Sequence, residues 1–117
     1  MKKIYHLSSC STCKRILKEL EPSSAYILQD IKEDPLTIEQ LEEMYELAGS
    51  YESLFSKRAQ LYKEKNLKNE TLDERNYKNL ILEHYTFLKR PVIINNDEIF
   101  IGNSKSTVEA AKIAMNE

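Results

Sequence analysis

Two cysteines in the pattern Cys-x-x-Cys are the residues of this sequence best suited to chemistry. Cys10 and Cys13 follow a short alternating segment, Lys3–Leu7, that predicts a strand, and the residues after them recur at helical spacing. Cys10 is therefore expected at a strand-to-helix turn, where unpaired N–H groups and the helix dipole favour an anion. Because the thiolate is the reactive form of cysteine, this position predicts a nucleophile. Cys13, one helical turn further on, is the candidate resolving thiol.

The two residues between the cysteines fit this interpretation. Ser11 and Thr12 suit the start of a helix, and we predict that they contact a bound substrate. Lys14 and Arg15 follow directly and add positive charge near the predicted thiolate.

A zinc half-site and inert burial are the alternatives for the cysteine pair. Zinc normally takes four ligands, and only His6 and His84 remain to complete such a set. His84 lies far away in the sequence, so we expect no metal and favour redox chemistry.

The composition of the whole chain narrows the class of protein. The 117 residues fit one domain, and 17 basic against 19 acidic residues give a net charge of −2, which offers no general attraction to nucleic acid. The longest clear apolar run, Pro91–Ile94, is too short to span a membrane. Ser8 comes too soon after Lys2 and Lys3 for an export signal, so we expect a cytoplasmic protein whose thiols stay reduced unless they cycle.

The periodicity predicts strand, helix, strand, then a block of helices, then two strands and a last helix. After the first helix, the predicted elements are a strand at Ala25–Leu28, a helix capped by Thr37 and ended by Gly49, a helix at Phe55–Asn66, a helix opened by a Thr71–Glu74 capping box, antiparallel strands at Arg90–Ile94 and Glu98–Ile101, and a helix capped by Asn103 or Ser104.

Without the helical block, this order is that of a thioredoxin-like α/β core. Such a core has one mixed four-stranded sheet, and a Cys-x-x-Cys after the first strand is where it carries its redox motif. We predict a single domain over residues 1–117, with the core at 1–35 and 87–117 and an all-helical insertion at 36–86.

Four segments in this order resemble the arsenate reductase/Spx family: Cys10–Lys14, Leu54–Arg58, Leu88–Val92 and Phe100–Gly102. The resemblance covers nearly the whole chain and implies a small cytosolic protein with a thioredoxin-like core and a helical insertion.

The resemblance also implies roles for individual residues. Cys10 corresponds to the nucleophilic cysteine of the family, and Arg90 to the arginine that borders the active site. Pro91 matches the proline that is cis in this fold and lies against the redox cysteine. Arg58 falls near an arginine that the insertion contributes to the binding of the negatively charged substrate.

Two departures from the arsenate reductases affect the expected activity. Those enzymes have a serine or similar residue where this chain has Cys13, and the Cys-x-x-Cys is instead the pattern of the Spx branch. They also share a third arginine, whereas Asn95–Lys105 contains none. Arsenate is a tetrahedral dianion, and its binding should weaken when a bidentate donor is lost.

Two functions therefore stand as expectations. The first is a thiol-dependent oxidoreductase without a metal or organic cofactor. Cys10 attacks a small oxyanion or a disulfide, and Cys13, glutathione or a glutaredoxin- or thioredoxin-type partner resolves the adduct. The second is a Spx-like redox-sensing regulator that binds RNA polymerase and uses a Cys10–Cys13 disulfide as its switch.

Overall fold

Four strands and five α-helices make up the structure, a computed structural model that describes residues 1–117. In chain order they are β1 (Lys2–His6), α1 (Ser11–Leu20), β2 (Ile27–Asp30), α2 (Ile38–Ala48), α3 (Gln60–Glu64), α4 (Glu74–Glu83), β3 (Val92–Asn95), β4 (Glu98–Ile101) and α5 (Lys105–Met115). Single 3₁₀ turns lie at Glu52–Leu54, Leu67–Asn69 and Tyr85–Phe87. No helix has the length and apolar composition that crossing a membrane requires.

The strands form one mixed sheet in the order β2-β1-β3-β4. β1 pairs with β2 in parallel, so that His6 lies opposite Asp30, and β3 is antiparallel to both β1 and β4. This confirms the predicted α/β class with a thioredoxin-like arrangement of β-α-β followed by β-β-α.

The chain forms two compact units, residues 1–35 with 90–117 and residues 36–89. The first unit holds the sheet, whose side chains pack with those of α1 and α5 in one core cluster. The cluster comprises Ile4, Ile16, Leu20, Tyr26, Ile93, Val108 and Ala111. The buried residues of α1, Cys13, Ile16 and Leu20, recur at helical spacing, so packing of this face fixes the rotation of the helix that follows Cys10.

The second unit is built around aromatic side chains. Phe55 and Phe87 are fully buried and stack with ring centroids 5.2 Å apart, and Tyr77 lies 4.9 Å from Phe55. The carboxylate of Glu74 accepts the N–H groups of Tyr51 at 2.6 Å and Glu52 at 3.0 Å, and so ties the start of α4 to a 3₁₀ turn.

The predicted helix at Phe55–Asn66 exists but is much shorter than expected. α3 covers only Gln60–Glu64, because Phe55 pairs with Leu88 in an isolated antiparallel bridge and the Ser56 N–H donates to the Phe87 carbonyl at 2.7 Å. These contacts hold the chain extended where the periodicity suggested a helix.

Smaller differences concern the bounds of elements and one side chain. β2 begins at Ile27 rather than Ala25, and β3 begins at Val92 rather than Arg90. Ile38, the first residue of α2, is 53% exposed. The Thr37–Gln40 capping box and the left-handed Gly49 that ends α2 are confirmed.

The cap of α4 differs from the predicted Thr71–Glu74 box. Asp73 is the N-cap, its carboxylate accepts the Asn76 N–H at 2.8 Å, and the Asn76 side chain accepts the Asp73 N–H at 3.0 Å. We expect Asp73→Ala to lower the free energy of unfolding by about 1 kcal/mol. Thr71→Ala, at an exposed residue that makes no hydrogen bond, should change it by less than about 0.5 kcal/mol. Urea denaturation measures both, and equal losses would contradict the observed cap.

Candidate active site at the amino end of the first helix

Cys10 is the N-cap residue of α1, as predicted for a strand-to-helix turn. Its backbone is extended (φ −92°, ψ 114°), its N–H donates to the Leu7 carbonyl at 3.0 Å, and its carbonyl accepts the Lys14 N–H at 3.1 Å. A tight turn over residues 7–10 therefore delivers Cys10 from β1 to the amino end of the helix, and its side chain is only partly buried.

Cys13 lies in the first turn of α1 and is fully buried. Burial is the main reason that the pKa of Cys13 is raised to about 11. The negative charge of Cys10 also raises this pKa, whereas the Leu7 N–H lowers it. At neutral pH, Cys13 is therefore a protonated thiol, and both cysteines are free in the structure.

The pKa of Cys10 is shifted the other way. Partial burial opposes ionisation, but the N–H and the thiol of Cys13, the N–H of Thr12 and the charge of Arg90 together lower the pKa of Cys10. These groups favour the thiolate although no side-chain hydrogen bond of ordinary geometry caps α1. Cys10 is therefore partly exposed with a lowered pKa, whereas Cys13 is buried with a raised pKa.

Arg90 acts electrostatically on the cysteine pair and is followed by Pro91. The Arg90–Pro91 peptide is cis, as the resemblance implied, and the Pro91 carbonyl accepts the Gly102 N–H at 2.9 Å. Arg90 is half-buried, and its positive charge favours the anionic form of both cysteines.

The remaining predicted site residues differ in their surroundings. Ser11 is exposed as the first residue of α1, and Thr12, next to it, is half-buried. Arg58 is exposed on the turn before α3, in the second unit, and its role in anion binding stays a prediction.

One interaction next to the cysteine turn was missed by the sequence reasoning. The Ser8 hydroxyl donates to the carboxylate of Asp30, whose other oxygen accepts the Lys32 N–H at 3.2 Å. The Ser8 hydroxyl, the Lys32 N–H and the charge of His6 lower the pKa of Asp30, so it is a carboxylate at neutral pH. The parallel pairing of β1 and β2 was a usable signal, because it places the carboxyl ends of both strands together.

The zinc alternative requires further ligands beside the two cysteines. No three His, Cys, Asp or Glu side chains lie together in a group that could hold a metal ion. The cysteine pair therefore has no third ligand of this kind within the chain.

A family comparison agrees with this geometry. The model of the ArsC family matches residues 5–111, which include both cysteines and Arg90. The chain belongs to the ArsC family. This ArsC-family chain is 28% identical over 108 residues to an arsenate reductase of Haemophilus influenzae, with 90% of this chain and 93% of the relative covered.

Other relatives include a regulator and a solved structure. The chain is 26% identical over 107 residues to the global transcriptional regulator Spx 1 of Bacillus cereus, with 90% of this chain and 82% of the relative covered. It superposes on an arsenate reductase from Vibrio cholerae with a TM-score of 0.71 and 25% identity, over 96% of each chain. The ArsC-family fold thus serves both an enzyme and a regulator among these relatives.

Proposed function

We propose that this ArsC-family chain is a thiol-dependent oxidoreductase of the arsenate reductase-like class, with Cys10 as its nucleophile. The observation that carries the proposal is the contrast between the two thiols. Cys10 is accessible at the amino end of a helix with a lowered pKa, while Cys13 is buried with a pKa raised to about 11. A difference of this kind assigns attack to Cys10 and resolution to Cys13.

On a disulfide substrate the reaction has two exchange steps. The Cys10 thiolate forms a bond to one substrate sulfur, the substrate S–S bond breaks, and the other substrate sulfur leaves as a thiolate. Cys13 then gives its proton to the substrate thiolate released in the first step, or to water, and attacks the Cys10 sulfur. This step closes a Cys10–Cys13 disulfide and releases the second substrate thiol. Two glutathione thiols, or the two thiols of a glutaredoxin-type partner, then reduce the Cys10–Cys13 disulfide and are themselves joined in a disulfide.

Positive charge near Cys10 has a role in both steps. Arg90 favours the Cys10 thiolate that attacks in the first step and the Cys13 thiolate that attacks in the second. The backbone N–H groups of the first turn of α1, with Ser11 and Thr12, provide donors for a bound anionic group. Pro91 is proposed to border the Cys10 sulfur, and Arg58 to be a further contact for the substrate charge.

A disulfide fits this site better than arsenate does. The first unit contains two arginines, Arg15 and Arg90, and Arg15 is exposed on α1. A tetrahedral dianion is held best by several bidentate donors, whereas a disulfide needs an activated sulfur and a resolving thiol. The proposed enzyme therefore uses small disulfides first and oxyanions such as arsenate less well or not at all.

The proposed activity is tested with two substrates in parallel. The reduced protein is assayed on a glutathione mixed disulfide of a small thiol and on arsenate, each with glutathione, glutathione reductase and NADPH as the recycling system. We expect NADPH consumption in proportion to protein with the disulfide. The absence of consumption above background with both substrates would overturn the enzymatic proposal.

A Spx-like regulator is the second candidate. The Cys-x-x-Cys and the 26% identity to a global transcriptional regulator favour it. In that role the Cys10–Cys13 disulfide would change binding to RNA polymerase in the cytoplasm. Retention of polymerase on the immobilised oxidised protein, but not on the Cys10→Ser variant, would favour the regulator over the enzyme.

A further inference from the structure

The turn that carries Cys10 is tied to the neighbouring strand by a side-chain hydrogen bond. Ser8 and Ser9 are the two central residues of the turn that the Cys10 N–H closes on the Leu7 carbonyl at 3.0 Å. The Ser8 hydroxyl donates to Asp30, whereas the Ser9 side chain is exposed and makes no hydrogen bond. Only one of the two serines therefore links the turn to the sheet.

Hydrogen bonds fix the position of Asp30, so that its carboxylate can hold the Ser8 side chain in place. It is the last residue of β2 and lies opposite His6 in the parallel register, and the Ile31 N–H extends this pairing to the His6 carbonyl at 2.9 Å. Its carboxylate also accepts the Lys32 N–H, and its carbonyl accepts the Asp34 N–H at 2.8 Å. Both the backbone and the side chain of Asp30 are thus fixed by the sheet and by the turn after it.

We propose that Ser8 and Asp30 are positioning residues, whose hydrogen bond fixes the turn over residues 7–10 and so holds the Cys10 sulfur at the amino end of α1. The chemical consequence rests on the proposed function. The N–H groups of Thr12 and Cys13 stabilise a thiolate only while the sulfur stays within their reach, because such interactions weaken steeply with distance and angle. A loose turn would let the sulfur move away from them.

The direction in which the pKa of Cys10 changes distinguishes a positioning role of Asp30 from a purely electrostatic one. The titratable group that acts on Asp30 is His6, beside the Ser8 hydroxyl and the backbone N–H groups of Ser8 and Lys32. The titratable and charged groups that act on Cys10 are Cys13 and Arg90. The negative charge of Asp30 can only disfavour a nearby thiolate through space. Removing the charge alone should therefore lower the apparent pKa of Cys10, whereas losing the anchor should raise it.

The test compares Ser8→Ala with Ser9→Ala, each combined with Cys13→Ser so that Cys10 is the only thiol. The pH dependence of iodoacetamide alkylation gives the apparent pKa of Cys10. We expect Ser8→Ala to slow alkylation about three- to tenfold at a pH below the midpoint, which is a rise of about 0.5 to 1 in pKa. Ser9→Ala should match the parent, and Ser8→Thr should restore its value. Equal midpoints in the Ser8→Ala and Ser9→Ala variants would overturn the proposal.

Two further measurements keep this result separate from the proposed function. Asp30→Ala removes both the charge and the hydrogen bond, and we expect the midpoint to rise; a fall would assign Asp30 a purely electrostatic effect and overturn the positioning role. Hydrogen exchange at the Cys10 N–H measures the stability of the turn directly. Ser8→Ala should accelerate this exchange at least about threefold, independently of the pKa of the Cys10 thiol. If Ser8→Ala leaves hydrogen exchange at the Cys10 N–H unchanged, the proposal that Ser8 and Asp30 fix the turn is overturned. If the Cys13→Ser protein itself titrates at the free-thiol value, the proposed function is overturned instead.

Discussion

Replacing Cys10 by serine is expected to reduce turnover of a mixed disulfide to the uncatalysed rate. A serine hydroxyl is not ionised near neutral pH and cannot exchange with a disulfide, and the buried Cys13, with a pKa of about 11, is a poor substitute nucleophile. Because Cys10 is partly exposed and makes no capping hydrogen bond to α1, the substitution should leave the fold intact. NADPH-coupled turnover with matched circular dichroism spectra measures both effects.

Cys13→Ser is the matched control for this prediction. It removes the resolving thiol but leaves the attack by Cys10, so a mixed disulfide between Cys10 and the substrate thiol should accumulate. Intact-mass spectrometry detects this adduct in Cys13→Ser and should find none in Cys10→Ser. An adduct on Cys13, or turnover in Cys10→Ser close to that of the parent, would reverse the assignment of the two thiols.

Truncation of Phe87 is expected to give the largest loss of stability. Its ring is fully buried in the second unit and stacks on Phe55 at 5.2 Å with an interplanar angle of 13°. Phe87→Ala removes this contact and leaves a cavity, which should cost about 3–5 kcal/mol of the free energy of unfolding. That is a large share of the roughly 5–15 kcal/mol that stabilises a typical domain.

Phe87→Leu is the control for the aromatic contribution. Leucine fills much of the same volume, so we expect a loss of less than about 1.5 kcal/mol in urea denaturation. A loss below about 1 kcal/mol for Phe87→Ala would mean that the aromatic cluster does not hold the second unit together.

Local patterns were enough to predict the features that position Cys10. The alternation of β1, the cysteine spacing and the helical period after Cys13 predict a strand, a turn and a helix, and each has its cause within a few residues. The parallel pairing of β1 with β2 also follows from local order, because a strand joined to the next one by a helix runs parallel to it. The turn at Asn96 and Asp97 predicts the antiparallel return of β4 in the same way.

The features that could not be predicted depend on contacts between distant segments. The Phe55–Asn66 helix is shorter than expected because Phe55 and Ser56 bond to residues near Phe87, which no local pattern reveals. Thr71 and Asp73 are both good N-caps, and packing of the following helix decides between them. Likewise, Ser8 and Asp30 form a hydrogen bond only because β1 and β2 end side by side. A serine and an aspartate are common in polar loops, so their residue types alone do not predict this contact.

The activated state of Cys10 is tested most directly by its alkylation as a function of pH in the Cys13→Ser protein. Serine at this position keeps the backbone N–H and offers a hydroxyl, so the main groups that favour the thiolate remain. We expect a midpoint clearly below the value of about 8.5 for a free thiol, and a higher midpoint when Arg90→Gln is added. A midpoint of about 8.5 or above that Arg90→Gln does not change would mean that this site does not prepare Cys10 for nucleophilic attack.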